Sequence, residues 1–309
     1  MKRFIAKILS AIMLISLIPT VAFAENSENI LYEEHFESET IKDEIENKQY
    51  GWSWDAAGNA SDKAAFQVEE NDYSYPNGGN FLRFASTDWY KSMWTVLDLQ
   101  ENGIYKLVQN GESQSDAKAA VSEYLSNNIS VSFKAKFEAD GKDNAKHEAY
   151  IRIKNAENEA IAELSTYCEN KSDTGSLVLK ALNNEKTEIE EYKIADISWQ
   201  KENTDWHDFK IDFNITNNTY RLTVDGEVFK DTPYGSWIPS AAIPSDNTTE
   251  SSPCEIGMIK SLEMGHSWSG WWQCIGVDDI VLTEGDWTSE EPNETPTVIV
   301  TPSPEPDSD

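Results

Sequence analysis

The sequence predicts an all-β protein, a sandwich of two antiparallel sheets, and three observations carry that reading. The stretch ISVSFKAKF puts Ile129, Val131, Phe133, Ala135 and Phe137 on one face and Ser130, Ser132, Lys134 and Lys136 on the other, the period of a half-buried strand. Phe209 to Ile215 repeats the pattern. After the polar turn Thr216-Asn217-Asn218-Thr219, a second strand carries Tyr220, Leu222 and Val224, and Asp225-Gly226 then turns the chain tightly into Glu227-Val228-Phe229. Third, helical periodicity is scarce. It is confined to Asp116–Leu125, where Ser115 or Asp116 would cap and Ala120, Val121, Tyr124 and Leu125 share a side. Further strand-like runs are Ile30–Phe36, Asn80–Ala85, Trp94–Leu99, Ala149–Lys154, Ala160–Leu164, Ser176–Leu182 and Gly276–Leu282, with no repeat of fixed period.

The two ends differ from this middle. Residues 1–24 have a basic start at Lys2, Arg3 and Lys7, an apolar run from Ile8 to Ile18 too short to span a bilayer, and a small-x-small end at Ala22-Phe23-Ala24. That is a secretory signal peptide, so the protein is expected to be secreted and extracellular. From residue 286 to 309 the chain is acidic, rich in Pro and Thr and without a base, the composition of a disordered linker or tail, which leaves open further modules beyond it. Residues 25–285 remain as one large β domain.

Net charge is −30, and the signal peptide would remove only bases. Such a field repels nucleic acid and anionic membrane and argues against both as partners, and against long polyanions unless a local basic patch or bound Ca²⁺ intervenes. Its simplest role is solubility outside the cell. Cys168, Cys254 and Cys274 make an odd set. Cys254–Cys274 would close a short loop, but no disulfide framework or zinc motif is indicated.

The stretch WHDFKIDFNITNNTYRLTVDGEVF, Trp206 to Phe229, resembles the central strand-turn-strand of concanavalin A-like, laminin-G-type jelly rolls. LYEEHFES, Leu31 to Ser38, resembles their opening strand and IGVDDIVL, Ile275 to Leu282, their closing one. The resemblance implies a jelly-roll β-sandwich, a fold of secreted bacterial carbohydrate-binding modules, lectins, glycoside hydrolases and polysaccharide lyases. It does not choose among them. It also implies a structural Ca²⁺ between first and last strands, here on Glu37 and Asp278, with Asp279 and Glu34 as alternates. Neighbours in a strand face opposite ways, so Asp278 and Asp279 are not both solvated, and a hard cation would relieve the buried one. Ordinary turn or edge hydrogen bonds are the alternative.

The chain holds 11 tryptophans. Aromatic rings stack on the C–H faces of sugars while neighbouring polar groups bind hydroxyls, so exposed aromatics beside Asp, Asn or Gln point to a glycan site. Three clusters qualify: Trp52 and Trp54 beside Asp55; Trp89, Tyr90 and Trp94; and Trp268, Trp271 and Trp272 in a Ser/Gly-rich stretch before Gln273. Trp199, Trp206 and Trp237 are expected to be structural.

Signals for catalysis are weaker. The nearest match to the Glu-x-Asp-x-x-Glu of jelly-roll laminarinases and lichenases is Glu138 to Asp143, which ends in Asp and carries Gly141 in a turn. His147, Tyr150 and Arg152 in KHEAYIRIK are lyase-like types. Tyr150 and Arg152 share a face opposite His147 and read as the solvent side of an amphipathic strand. The expectation is a secreted, non-catalytic carbohydrate-binding module for a polysaccharide. The alternatives are a lyase or glycoside hydrolase of the same fold, and a cell-surface adhesion domain.

Overall fold

The alternation along Ile129–Ala139 becomes the middle of a sheet. In the computed structural model, which describes residues 29–38, 40–56, 64–70, 79–86, 93–139, 148–168, 174–183, 185, 187–198, 206–230, 232, 237–240, 254–267 and 273–285, the chain runs β1 (Asn29–Glu34), α1 (Ile41–Glu46), β2 (Trp52–Ala56), β3 (Ala64–Glu70), β4 (Asn80–Ser86), β5 (Met93–Asp98), α2 (Leu99–Gln109), α3 (Gln114–Leu125), β6 (Ile129–Ala139), β7 (Glu148–Asn155), β8 (Ala160–Cys168), β9 (Thr174–Leu182), β10 (Ile189–Ser198), β11 (His207–Asn214), β12 (Thr219–Val224), β13 (Glu227–Val228), β14 (Ile238–Pro239), β15 (Ile259–Ser267) and β16 (Gln273–Glu284). The signal-peptide and tail segments lie outside the described residues.

Two antiparallel sheets form. One has nine strands ordered β13-β12-β11-β6-β16-β4-β3, with β1 also on β16 and β14 on β12; the other has seven, ordered β10-β9-β8-β7-β15-β5-β2. Their inner faces make one core. Ile129, Val131, Phe133, Ala135 and Phe137 of β6 meet Phe209, Ile211 and Phe213 of β11 and Ile151, Ile153, Leu164, Leu177, Leu179, Leu262 and Met264 of the facing sheet. Phe133 and Phe209 stack with centroids 5.4 Å apart. Each such side chain contributes roughly 1.5–3 kcal/mol of burial. The architecture is the all-β sandwich that the alternating patterns predict.

The hairpin β11–β12 pairs Phe209↔Val224 through Asn214↔Thr219. Its following turn has Asp225 at φ 51 and Gly226 at φ 80, where Asp tolerates and Gly readily adopts the left-handed region. The Asp225 carboxylate accepts the Asp208 N–H at 2.9 Å and contacts His207 Nδ1 at 2.8 Å, fixing the turn against the strand.

The expected helix is present as α3, capped two residues before Ser115: the Ser113 hydroxyl accepts from the Asp116 N–H. Two further helices, the short α1 and the longer α2, depart from the expectation of a single helix; in α2 the chain turns helical directly after β5. The Asp98 carboxylate caps α2 through the Glu101 N–H, and Gly103 lets α3 close in, since a Cβ there would stand 3.1 Å from Val121 Cγ2.

Strand β16 pairs with β6 along its length but changes partner on its other edge. Gln273–Val277 pair with β4, and Ile280–Glu284 pair with β1. The register with β6 shifts between Asp278 and Val281, and Asp279 sits at φ 49. This is a β-bulge at the exchange point, with Asp in a left-handed position it accepts more readily than most residues.

Candidate functional site

Two features of the described residues have the chemistry of a site, one on each sheet's outer face.

On the seven-stranded sheet, core side chains alternate with an outward set. The register aligns Trp94 (β5), Gly265 (β15), Tyr150 (β7) and Ser165 (β8) in one row, and Val96, Glu263, Arg152, Glu163 and Lys180 in the next. The second row is a chain of alternating charge. Arg152 Nε donates to Glu163 at 2.5 Å, and its Nη1 reaches Glu263 at 3.4 Å. Lys180 bonds Glu163 at 2.8 Å and Lys154 bonds Glu263 at 2.5 Å. Ser165 also donates to Glu163. Glu163 has no exposed surface. Burial alone would push its pKa up, but Arg152 and Lys180 hold it below the ordinary carboxylate value. The Arg152 guanidinium lies 3.8 Å from the Tyr150 ring centroid.

Tyr150 and Arg152 lie on the outward face of their strand, opposite Ile151 and Ile153, but they are covered there: Tyr150 is 6 % exposed. Their common face is correct as read from KHEAYIRIK. What the spacing cannot show is that β8 and β15 bring carboxylates against both sides of Arg152, one hundred residues apart in sequence for Glu163 and Glu263. Burial and the Glu263 charge raise the Tyr150 phenol well above its ordinary value, so it stays protonated and is no base near neutral pH. His266 faces inward beside Met264, and burial lowers it to about 4, so it is neutral.

Trp94 is half-buried on the outward face. Its two cross-strand neighbours are Gly265 and Asp55, so no bulky side chain stands between it and Tyr150 along the row. The other aromatic expectations divide. Trp52, 2 % exposed, points into the core with Phe36, so it is not a stacking surface. Trp54 packs half-buried against the core, its indole N–H donating to Glu46 O at 3.3 Å and Lys48 Nζ 5.2 Å over its ring. Both are set by alternation: Leu97, Thr95 and Met264 point inward, and Trp52 and Trp54 pair into the same layer. Trp89, Tyr90, Trp268, Trp271 and Trp272 lie outside the described residues. Among the described residues, Met93 at the start of β5 pairs with His266 near the end of β15. Trp237 is buried, as expected, with Arg221 5.1 Å over its ring. Trp206 was expected in the core but covers the outer face of the nine-stranded sheet. It meets Phe81 edge-on at 5.3 Å, with Lys136 alongside, above Gly276, where a Cβ would come within 3.1 Å of its ring.

The second feature is the exchange point on β16. Neither aspartate enters the core, because Val277 and Ile280 take the inward positions and the bulge absorbs the intervening residues. Asp279 ties the middle of β16 to the middle of β6 and to the residue after β1, meeting Lys134 Nζ at 2.8 Å and His35 Nδ1 at 2.7 Å. Asp278 is 5 % exposed and accepts the Asp279 N–H at 2.8 Å. Burial, aided by the Asp279 and Glu37 charges, pushes its carboxyl up to about 7. Glu37 accepts the Asn80 N–H at 2.8 Å and approaches Gly79 so closely that a Cβ there would stand 2.5 Å from Oε1. Glu34 accepts the Phe36 N–H at 2.9 Å. Among the described residues no group of three or more His, Cys, Asp or Glu gathers to hold a metal ion. Cys254 carries a free thiol 3.3 Å from the Ser240 hydroxyl.

No family model and no curated protein matches the chain. Among solved structures it is similar to a sialidase at 8 % identity and TM-score 0.41, covering 84 % of this chain and 19 % of that one. It is similar to the CBM2 module of the evolved Dit of Lactobacillus casei BL23 phage J-1 at 9 % identity and TM-score 0.38, covering 84 % and 97 %. A third is the binding domain of botulinum neurotoxin DC in complex with rat synaptotagmin II, at 12 % identity and TM-score 0.37, covering 76 % and 44 %. The chain thus spans a fifth of the sialidase and under half of the toxin domain. Identities and scores this low do not extend to this chain what those proteins bind or cleave.

Proposed function

We propose that this chain is an exported, non-catalytic carbohydrate-binding domain that recognises a polysaccharide by aromatic stacking, at the end of the seven-stranded sheet around Trp94. The observation that carries this reading is the row Asp55–Trp94–Gly265–Tyr150: a half-exposed indole beside a bare glycine, flanked by polar groups locked in place by the Glu163–Arg152–Glu263 network. Preorganised polar groups around an apolar platform suit a ring with an apolar face and hydroxyl edges. The pairing of Met93 with His266 supports including Trp89, Tyr90, Trp268, Trp271 and Trp272 in the same surface. Residues 1–24 support export.

Ca²⁺ belongs to the same proposal as a structural ion. The residues fit in part: Asp279 is held by Lys134 and His35, and Glu34 and Glu37 each accept a backbone N–H, but the Glu37 charge also acts on the buried Asp278, and a divalent cation between those two would offset it. They would hold it with backbone carbonyls, and it would fasten β1 to β16 without taking part in any chemistry.

Affinity electrophoresis of the protein through a panel of polysaccharides, with reducing sugar assayed in parallel, tests the reading. Trp94→Ala is expected to weaken retardation at least tenfold while leaving Tm within a few degrees, and Trp271→Ala and Trp272→Ala to do the same. Unchanged retardation in all three variants, or product release from any polymer, overturns it. The latter favours a lyase or hydrolase. No retardation by any polymer favours an adhesion domain.

A further inference from the structure

The outer face of the nine-stranded sheet carries a depression of about 550 Å³, on the opposite side of the sandwich from Trp94. It is built by register. Lys134 and Ser132 of β6 lie beside Asp208 and Lys210 of β11, Thr223 of β12 adjoins Lys210, and Asp279 of the β16 bulge closes one side. Gly226, in the turn after β12, and His35 complete the rim.

Its electrostatics depart from those of the chain. The whole protein has 55 acids against 25 Lys and Arg. Here the structural carboxylates Asp212 and Asp279 are each met by basic side chains. Asp212, buried under the face, takes Arg221 at 2.9 and 3.2 Å and Lys210 at 3.7 Å, besides the Ser130 hydroxyl at 2.7 Å. Asp279 takes Lys134 at 2.8 Å and His35 at 2.7 Å. Lys210 and Lys134 keep part of their side chains in solvent at the mouth of the depression, and Asp208 adds one acceptor. Lys134, Lys210, Arg221 and His35 here stand against Asp208, Asp212, Asp279 and Glu33, a closer balance than the two-to-one excess of acids over the whole chain. An anionic group meets less repulsion at this spot than the net charge implies. Ser132, Thr223 and Asp208 supply hydrogen-bonding groups for hydroxyls around the two ammonium groups.

We propose that this depression binds a carboxylate-bearing sugar unit of the uronate type, with Lys210 and Lys134 on the carboxylate and Ser132, Thr223 and Asp208 on the ring hydroxyls. The inference rests on the carbohydrate-binding reading and assigns it a second, charge-selective site. A polysaccharide with acidic units would then engage both faces of one domain, and chains of linked units would be cross-bridged between domains.

Affinity electrophoresis through polygalacturonate and alginate, each beside its methyl-esterified form, decides it. Acidic polymers are expected to retard the protein at least tenfold more strongly than the neutral esters, with the difference shrinking as NaCl rises. Lys210→Ala is expected to abolish the difference. Lys118→Ala, which removes an exposed cation from α3, is expected to leave it unchanged. Equal retardation by acid and ester, or an unchanged preference in Lys210→Ala, overturns the proposal. Retardation by neutral polymers that depends on Trp94, without any acidic preference, sinks this inference alone; no retardation by any polymer sinks it together with the carbohydrate reading.

Discussion

Replacing Glu163 by glutamine is expected to lower the unfolding free energy by about 3–5 kcal/mol, the range for breaking a buried ion pair by removing one partner. Glu163 has no exposed surface and bonds Arg152 at 2.5 Å and Lys180 at 2.8 Å, so its neutral isostere leaves Lys180 without this carboxylate and Arg152 with Glu263 alone, two like charges side by side in a largely buried row. The penalty comes from the stranded charges, not from the lost attraction in water, and salt should relieve little of it. Urea unfolding at neutral pH measures it. A loss below about 1 kcal/mol would mean that the row is solvated and behaves as a surface network. The pH dependence has a definite sign. The folded-state pKa of Glu163 is depressed, so its contribution is fully present above the carboxyl's ordinary 4.5 and is lost as pH falls through the folded value. Glu163→Gln should remove that part of the acid sensitivity.

Asp278→Asn is expected to act in the opposite direction. The folded-state pKa near 7 stands above the ordinary 3.8, so the fold binds this proton more tightly than the unfolded chain does. Its contribution is full below pH 3.8 and is lost as pH rises to about 7. In EDTA at pH 8 the asparagine variant should be more stable than the parent by about 1–3 kcal/mol, with a flatter profile between these limits. With Ca²⁺ at a hundredfold excess over Kd the parent should gain about 2.7 kcal/mol and the variant little, reversing their order. Equal responses of both proteins to Ca²⁺ would remove the cation from this junction, and an unaltered pH profile in the variant would remove the buried acid.

Much of the framework is legible because period-2 alternation reports directly on burial. Ile129, Val131, Phe133, Ala135 and Phe137 are all core residues, and the Asp225-Gly226 turn forms where its φ requirements place it. The helix α2 escapes notice because Gly103 weakens its pattern, yet Gly103 is there for Val121, a packing partner that local sequence does not reveal. Strict alternation misleads at Asp278 and Asp279, since one bulged residue resets which side each neighbour faces. The candidate sites were the least legible part. Trp94 stands out in the sequence as a binding residue, but Gly265 does not, because its meaning arises only from the register of β5, β15 and β7. The same holds for Glu163 and Glu263, which look like unremarkable acids until three strands are laid side by side.

The pairing of β1 with β16 also sets how the molecule bears tension. Asn29 and Glu284 are the outermost pair of an antiparallel ladder, so both chain ends leave the sandwich from the same place. A pull between them loads the rungs one after another, Asn29↔Glu284 first, then Ile30↔Thr283, as in a zipper opened from its tab. Shearing, which would load all rungs at once, is not available to this geometry. Peeling would stop where Asp279 grips His35 and Lys134, making that clasp the point at which mechanical resistance is concentrated.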